Sequence, residues 1–479
     1  MMHVDPRMSV LNRFIRYYVA SLLCVFLALT CSACDNDEGS PGDTTANAGD
    51  MAGDTAGAIS GDTAGAIAGM ISGDMAGDVA GDVAGDVAGD VAGDMMSLCR
   101  GGQNYGLISP LNTLMTLGIA PFTAPRLVAL EGGWILGWLS GSEASPTEGN
   151  RLHILRLDEA FNPMGEPTVL GRAKGGQYEL HATSTGAIVL WLNQRNEVLT
   201  SEGVYVQNLD LNGAVTGERI VINQTFDVRS ISSAWADGFG GLLVYSEQNK
   251  ISAITFDTSG LSSAPQVLSQ GPNRSPSATF AGGGWTVGWL SPQEEDVSKF
   301  NISIKQLNDQ GEEIGDMRVL DDVNANGRFS LAYGNGVYAV AWSFPDPSVL
   351  EANPRQIIGF RLLDETINEI GRFFVMDGTT DLSLYSLSWM TPSVFAVAWS
   401  QSPLSGEGSI LGISRINQLG QVLPSVIINE EETLYSDIGL LGNASAMRVV
   451  VSADLTPQPT GLFSTETFIQ TGLIGPCEE

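Results

Sequence analysis

A two-glycine turn followed by a short apolar run that ends on tryptophan recurs along this chain. The sequence is Gly-Gly-Trp-Ile-Leu-Gly-Trp over residues 132–138 and Gly-Gly-Trp-Thr-Val-Gly-Trp over residues 283–289. Looser copies occupy residues 336–342 and 394–399. Apolar runs of this length, bounded by Gly, Asn, Asp and Ser, predict short β-strands joined by tight turns. We expect the small glycines beside the tryptophans to leave space for those rings.

The aromatic ends of these runs define a period. They are Trp138, Trp191, Tyr245, Trp289, Trp342, Trp399 and, less clearly, Val451, separated by 53, 54, 44, 53, 57 and 52 residues. Four strand-like runs fall in each unit, for example residues 301–307 and 317–320 as a third and fourth run. Four antiparallel strands at this period predict an all-β fold, a β-propeller of seven four-stranded blades.

The two ends of the repeat region complement each other. The last unit has runs near residues 434–441, 448–453 and 462–471, but no fourth run follows. Residues 112–118, which precede the first unit, resemble the fourth runs of other units. We therefore predict that this N-terminal strand completes the last blade and closes the ring.

The N-terminus has the features of an export signal over residues 1–33. Arg7, Arg13 and Arg16 precede an apolar stretch over residues 17–30, which is short for a membrane-spanning helix. Cys31-Ser32-Ala33-Cys34 then resembles a bacterial lipobox, which implies cleavage after Ala33 and acylation of Cys34. Ordinary signal cleavage at the same bond and an uncleaved membrane anchor are the alternatives.

Three cysteines remain after cleavage: Cys34, Cys99 and Cys477. An odd free thiol is unfavourable in an oxidising compartment. Acylation of Cys34 would leave Cys99 and Cys477 as one pair at the two ends of the globular region. We predict a disulfide between them, with two unrelated free thiols as the alternative.

Residues 34–98 have a different composition from the rest of the chain. Between residues 35 and 98 there are 12 Asp and one Glu but no Lys or Arg, and a glycine falls at every fourth position from 49 to 93. Without aromatic residues such a segment buries too little apolar surface to offset its ordering entropy. We predict a disordered acidic stalk, followed by the propeller domain at residues 99–479.

Together these features resemble bacterial exported lipoproteins that carry β-propeller repeats. The resemblance rests on the Gly-Gly-x-aromatic-x-Val-x-Trp units and on the lipobox, and it covers about three quarters of the chain. It implies the fold, export, and a lipid-anchored place in the cell envelope, at the outer membrane or cell surface. It implies no common activity.

The net charge of −31 makes nucleic acid an unfavourable partner. We find no nucleophile elbow, zinc-protease motif or phosphate-binding loop, and therefore assign no catalytic residue and no cofactor. His153 and His181 fall in predicted strands without a repeated partner, which favours structural roles for both.

One segment matches the first half of a calcium loop. Asp322, Asn324 and Asn326 have the Asp-x-Asn-x-Asn-Gly spacing of oxygen ligands, although positions nine and twelve are Ser330 and Tyr333 rather than acids. The alternative is an Asx-rich turn without a metal.

The loops after the second strands are long and acidic. We predict a binding face there, formed by Glu294, Glu295, Asp296, Asp346, Glu351 and Glu407. Solvation of an ordinary surface is the alternative.

Two functions remain open from the sequence. The first is a membrane-anchored, extracytoplasmic binding or scaffold module for a protein, glycan or cation. The second is a hydrolase or lyase that acts on extracellular polysaccharide or a lactone through paired carboxylates at the ring centre.

Overall fold

The structure is a computed structural model, and none of its described residues is helical. They are 105–117, 125–140, 150–193, 203–223, 227–261, 263–297, 299–325, 328–345, 356–375, 381–390, 394–402, 410–429, 433–442, 447–455 and 467–476. In these ranges no helix has the length and hydropathy needed to cross a bilayer.

The strands follow one another in a regular order along the chain. They are β1 Tyr105–Leu117, β2 Arg126–Leu130, β3 Gly133–Ser140, β4 Asn150–Leu157, β5 Thr168–Thr183, β6 Gly186–Asn193, β7 Gly203–Asp210, β8 Val215–Asn223, β9 Ser230–Ala236, β10 Gly240–Glu247, β11 Lys250–Asp257, β12 Gly260–Leu261, β13 Gln266–Gln270, β14 Arg274–Ala281, β15 Gly284–Pro292, β16 Phe300–Leu307, β17 Glu313–Ala325, β18 Phe329–Gly334, β19 Val337–Pro345, β20 Gln356–Leu363, β21 Glu369–Val375, β22 Asp381–Met390, β23 Val394–Ser402, β24 Ile410–Asn417, β25 Val422–Asn429, β26 Thr433–Gly442, β27 Met447–Leu455 and β28 Thr467–Pro476.

Three antiparallel four-stranded sheets have their strands in chain order. These sheets are β14–β17, β18–β21 and β22–β25. The sheet of β9, β10 and β11 is completed by two short strands, because both β12 and β13 pair with β11. In the last sheet the order is β1-β28-β27-β26, so the N-terminal strand contributes the fourth strand beside the C-terminal one.

β5 belongs to two neighbouring units. Its first half pairs with β4 and its second half with β6, which joins β2 to β8 into one seven-stranded sheet. Because this sheet is continuous, it can be counted as one blade or as two. The number of seven blades therefore stays a prediction.

The first strands of successive units lie side by side. Among the described residues β2, β5, β9, β14, β18, β22 and β26 contact one another in this order, and β26 contacts β2. Four-stranded antiparallel sheets whose first strands surround a common centre form a β-propeller. The all-β propeller fold predicted from the repeats is confirmed.

The repeat aromatics are core residues. Trp138, Trp191, Tyr245, Trp289, Trp342 and Trp399 are all buried near the ends of the second strands. In two units a glycine of the third strand lies opposite the tryptophan: Gly359 pairs with Trp342 and Gly412 with Trp399. A β-carbon on either glycine would lie 2.4 or 2.0 Å from the indole, respectively, so the ring fills the space that the glycine leaves.

The hairpins after the third strands share a turn that the sequence analysis did not identify. An Asp or Asn side chain accepts a hydrogen bond of 2.8–2.9 Å from a backbone N–H three or four residues later. The accepting residues are Asp158, Asp210, Asp257, Asn308, Asp364 and Asn417. These Asx turns fix the reversal into the fourth strand.

Candidate functional site

One position of the first strands can be compared between units through the strand pairing. In each unit the second-strand residue immediately before the repeat residue (Trp138 and its equivalents, including Val451) pairs with one residue of the first strand. We call that first-strand residue the ring position. Its occupants are Arg126, Glu179, Ser232, Ser277, Ser330, Ser386 and Gly439. Four of the seven are serines, whereas the neighbouring strands β2 and β5 carry opposite charges.

Two of the serines at the ring position connect adjacent sheets. The Ser232 hydroxyl accepts a hydrogen bond from the backbone N–H of Ala278, and the Ser277 hydroxyl accepts one from Leu331, both at 3.2 Å. A small hydroxyl therefore satisfies a backbone donor of the next first strand. The side chain at this position faces the following unit.

Arg126 and Glu179 form an ion pair at this position. The distance from Arg126 Nε to Glu179 Oε2 is 4.0 Å, and the two side chains are 42% and 21% exposed. Burial raises the pKa of Glu179, while the positive charge of Arg126 opposes this effect. Burial therefore destabilises the ionised form of Glu179, and the positive charge of Arg126 offsets part of this cost.

His181 lies two residues beyond Glu179 on β5, and its Nε2 is 2.7 Å from the Ser233 hydroxyl on β9. Burial, assisted by the charge of Arg126, lowers the pKa of His181 to about 4. The imidazole is therefore neutral at pH 7. We call Arg126, Glu179, His181 and Ser233 the central cluster.

Gln177 also links β5 to β9, at the start of the central cluster. Its Oε1 accepts a 2.8 Å hydrogen bond from the Ile231 N–H, and its Nε2 donates one of 2.8 Å to the Arg229 carbonyl. These two bonds fix the spacing of the strands that carry Glu179 and Ser233.

The central cluster contains groups that can form ionic and hydrogen-bonded contacts. It combines one cation, one carboxylate and a neutral imidazole that can donate or accept a hydrogen bond. Ser233 is only 6% exposed, which limits its access to a substrate as a nucleophile. Within the described ranges no group of three or more His, Cys, Asp or Glu residues could hold a metal ion.

His153 has a structural role in the core. It lies opposite Trp138 in the sheet and stacks on the indole with a centroid distance of 5.1 Å. Its Nε2 is 2.6 Å from the Ser140 hydroxyl, and burial lowers its pKa. This histidine thus fills the place that glycine takes opposite Trp342.

The acidic residues predicted for the binding face are described in part. Glu294 and Glu295 are exposed in the segment between β15 and β16, and Asp296 forms a 3.5 Å ion pair with Lys299. The Gln293 N–H donates a 3.0 Å hydrogen bond to the Lys299 carbonyl, which closes this loop. Asp346, Glu351 and Glu407 lie outside the described residues.

The predicted calcium ligands are also described in part. The backbone of Asp322 and Asn324 lies in β17, whose ladder continues to a pair between Ala325 and Phe300, and Asn326 lies outside the described residues. The first two positions are therefore strand rather than loop, and the calcium site stays a prediction. Cys34, Cys99 and Cys477 also lie outside the described residues.

Sequence reasoning did not find Arg126 and Glu179. Neither residue belongs to a local motif. The ring position lies 12 or 13 residues before the repeat residue of each unit. Aligning the units on the repeat residues would therefore have shown serine in four of them, and Arg126 and Glu179 in two others.

The chain was compared with known proteins. No protein-family model matches it, and neither does any curated protein. Among solved structures it is similar to the β-propeller domain of the Trilobed protease from Pyrococcus furiosus, at 11% identity and a TM-score of 0.42, covering 73% of this chain and 94% of that one. It is also similar to the α-L-arabinofuranosidase Arb93A from Fusarium graminearum (11% identity, TM-score 0.42, 78% and 98% covered). A third similar structure is the acylaminoacyl peptidase of Pyrococcus horikoshii (10% identity, TM-score 0.42, 73% and 51% covered).

Proposed function

We propose that this chain is an exported, lipid-anchored binding or scaffold module of the bacterial cell envelope. Its β-propeller would present one face to an extracytoplasmic protein, glycan or cation. That face lies at the end of the units where the second strands end, and it includes the loops for which the acidic binding face was predicted. We use the term binding face for this whole end of the units.

The observation that carries this proposal is the Arg126–Glu179 pair. Arg126 pairs with Gly137 and Glu179 with Leu190, and each partner lies three residues before the end of its second strand. The pair therefore lies toward the binding face. Ionisable groups with displaced pKa values, such as Glu179, are typical of functional sites.

The acidic loop between β15 and β16 supports the same face. It follows a second strand, so antiparallel topology puts it at the same end of the units as the start of the first strands. Glu294 and Glu295 are exposed there on a loop closed by its own hydrogen bonds. Variable loops on a rigid scaffold commonly form binding surfaces.

A polysaccharide hydrolase or lyase is the second candidate, favoured by the raised pKa of Glu179. Such chemistry requires a second carboxylate about 5–10 Å away. The described partner of Glu179 is instead Arg126. The side chains of Asp381 and Asp437, on the first strands β22 and β26, lie outside the described ones.

Site-specific photo-crosslinking in living cells tests the binding proposal. A photoreactive residue replaces Glu294 on the binding face or Leu419, which is 81% exposed in the hairpin between β24 and β25. That hairpin follows a third strand and therefore lies at the opposite end. We expect a discrete adduct from position 294 and none from position 419. Equal adducts from both positions, or none from position 294, would contradict a binding face.

The proposed lipid anchor at Cys34 can be tested separately. Replacing Cys34 with Ala should abolish incorporation of labelled fatty acid and release the protein from the membrane fraction. Unchanged membrane association of the Cys34→Ala variant would indicate an anchor other than lipid.

A further inference from the structure

We propose that Arg229 and Arg274 form a docking site for a protein whose docking segment carries carboxylates flanked by basic residues. This inference rests on the proposed function, because it selects one class of partner for the binding face. Each guanidinium would bind a carboxylate of the partner. Acidic residues beside the two arginines would contact its basic residues.

Three exposed arginines occupy the same backbone position in consecutive units. Each lies at the start of a first strand, opposite the second-strand residue that directly follows the repeat aromatic. The opposite residues are joined by a backbone hydrogen bond or a strand pair: Arg229 with Ser246, Arg274 with Leu290 and Arg328 with Ser343. Their strands β9, β14 and β18 are neighbours around the centre. We call Arg229, Arg274 and Arg328 the arginine row, and it lies on the binding face.

The fold does not require arginine at this position. The strand pairing places Ser383 and Asp437 there in the two units that follow. A small hydroxyl and a carboxylate are therefore both compatible with the backbone. The chain has 23 basic and 54 acidic residues, so the arginine row concentrates scarce cations on one face.

The Arg274 side chain is positioned by an aromatic ring. Its Cζ lies 3.7 Å from the centroid of Phe300, which is buried at the start of β16. Stacking covers one face of the guanidinium plane, while the N–H groups at its edge can still donate to a carboxylate. Burial lowers the pKa of Arg274, and no carboxylate in the described ranges forms an ion pair with it. A carboxylate of a partner would offset this cost of burial.

The backbone beside Arg274 is strained. Ser275 has a φ of 52°, a conformation that is uncommon for residues other than glycine. One extra residue lies between Arg274 and Ser277 relative to β15, which makes a β-bulge. Bulges beside functional sites commonly re-aim a side chain. We attribute the strain to the placement of Arg274 over Phe300.

Arg229 has a fixed backbone and an exposed side chain. Its N–H donates a 2.8 Å hydrogen bond to the Ser246 carbonyl, and its carbonyl accepts one of 2.8 Å from Gln177 Nε2. Among the described side chains, no carboxylate forms an ion pair with Arg229 either. Two cations on adjacent strands can therefore bind carboxylates of a partner.

The surroundings of the two arginines are acidic. Glu294 and Glu295 are exposed on the loop that follows β15. Asp227 is exposed two residues before Arg229. A uniform polyanion, such as an acidic polysaccharide, would meet these carboxylates and a net charge of −31. A protein segment can match both signs, and arginine is a frequent hot-spot residue of protein–protein interfaces.

Selection of random peptides displayed on phage against the mature chain tests the chemistry of the partner. We expect the enriched peptides to carry Asp or Glu flanked by Lys or Arg. Fluorescence anisotropy then measures one enriched peptide, competed by the same peptide with acidic and basic positions exchanged or by a galacturonate oligomer. We expect both competitors to bind more weakly, and the affinity of the enriched peptide to fall between about 50 and 300 mM salt.

The fold itself supplies the variants. Arg229→Ser and Arg274→Ser introduce the residue that β22 carries at this position, so both proteins should fold. Each should weaken peptide binding at least about tenfold, because a charge-assisted contact is lost. Arg274→Lys keeps the charge without the planar stacking group and should give an intermediate loss. Arg318→Ser is the matched control, because it removes an exposed arginine from the outer strand β17, and it should leave the affinity unchanged.

Three results would overturn the inference. The first is a failure to enrich any peptide with acidic residues, and the second is an affinity that both serine variants retain. The third is tighter binding of the galacturonate oligomer, which would indicate an acidic glycan instead of a protein. If position 294 still gave its crosslinked adduct, the binding module would stand and only the partner chemistry would be wrong.

Discussion

Gly137 lies directly against the ring of Tyr178, which belongs to the first strand of the next unit. A β-carbon on Gly137 would lie 2.9 Å from this ring, and the Tyr178 hydroxyl donates a 2.7 Å hydrogen bond to the Gly137 carbonyl. Gly288 and Phe329 repeat the relationship, with the same 2.9 Å approach and the same separation of 41 residues. The motif glycine thus accommodates an aromatic ring of the neighbouring unit. The expectation that it leaves space for its own tryptophan was wrong for these two positions.

The first prediction concerns this contact between units. Replacing Gly288 with Ala should lower the free energy of unfolding by about 1–3 kcal/mol, because the new methyl group overlaps the Phe329 ring. Denaturation in urea measures the loss. In a Phe329→Leu background the same replacement should cost less, and strictly additive losses would contradict the contact.

The second prediction concerns the repeat tryptophans. Trp138→Ala and Trp289→Ala should each lower the free energy of unfolding by about 3–5 kcal/mol, because both indoles are buried in the core. The control Leu419→Ala, at an exposed hairpin, should change it by less than about 0.5 kcal/mol. Unchanged melting of the tryptophan variants would instead favour a role for the indoles in binding.

The third prediction concerns the repeated Asx turn. The Asp364 carboxylate accepts hydrogen bonds from the Thr366 and Asn368 N–H groups, at 2.9 and 2.8 Å. Asp364→Ala should cost about 1–2 kcal/mol of unfolding free energy, because both donors lose their acceptor. Asp364→Asn should cost clearly less, since Asn308 and Asn417 make the same turn in other units. Chemical denaturation that ranks the two variants equally would contradict a side-chain acceptor.

The pH dependence of stability follows from His181. Its pKa is about 4 in the folded protein, below the ordinary value of 6.5. Between these values the unfolded chain binds a proton that the folded chain does not, so stability falls as pH decreases from 6.5 toward 4. The loss from this residue should reach at most about 3 kcal/mol.

Comparison with His181→Asn isolates this contribution, because His153 is unchanged in both proteins. Glu179 acts in the opposite sense, since its raised pKa gives stability that is lost as pH rises through the folded value. Thermal unfolding at pH 4, 5, 6 and 7 should show a flatter profile for the variant. Parallel profiles would mean that His181 is not kept neutral by the fold.

The last prediction concerns the two cysteines near the chain ends. Tyr105, six residues after Cys99, pairs with Pro476, the residue before Cys477. Mass spectrometry without reductant should therefore find Cys99 joined to Cys477. Cys477→Ser should make Cys99 available to alkylation and cost about 2–5 kcal/mol. Alkylation of Cys99 in the wild-type protein without reductant would contradict the disulfide.

The strands were largely predictable because their signals are local. The expected run at residues 301–307 lies within β16 and lacks only its first residue, Phe300. The run near residues 434–441 lies within β26 and lacks one residue at each end. A half-buried or buried strand must place apolar residues at regular intervals between turns. That requirement is visible in a single sequence.

The central cluster was not predictable in the same way. Arg126 and Glu179 are separated by 53 residues, and only the pairing of each first strand with its neighbour brings them to one place. The continuity of β5 was also missed, because its glycines at 171, 175 and 176 are typical of a turn. Register between strands is a tertiary property that local patterns do not contain.

The shared strand β5 has a mechanical consequence for these two charges. Arg126 and Glu179 belong to one sheet, β2 to β8, in which β5 is the fourth strand of one unit and the first strand of the next, with a register break between Ala173 and Tyr178. No loop joins the two units here, so changing the separation of the two charges would require bending β5 itself. The stiffness of a single strand, rather than that of a loop, therefore limits how far these two units can move against each other.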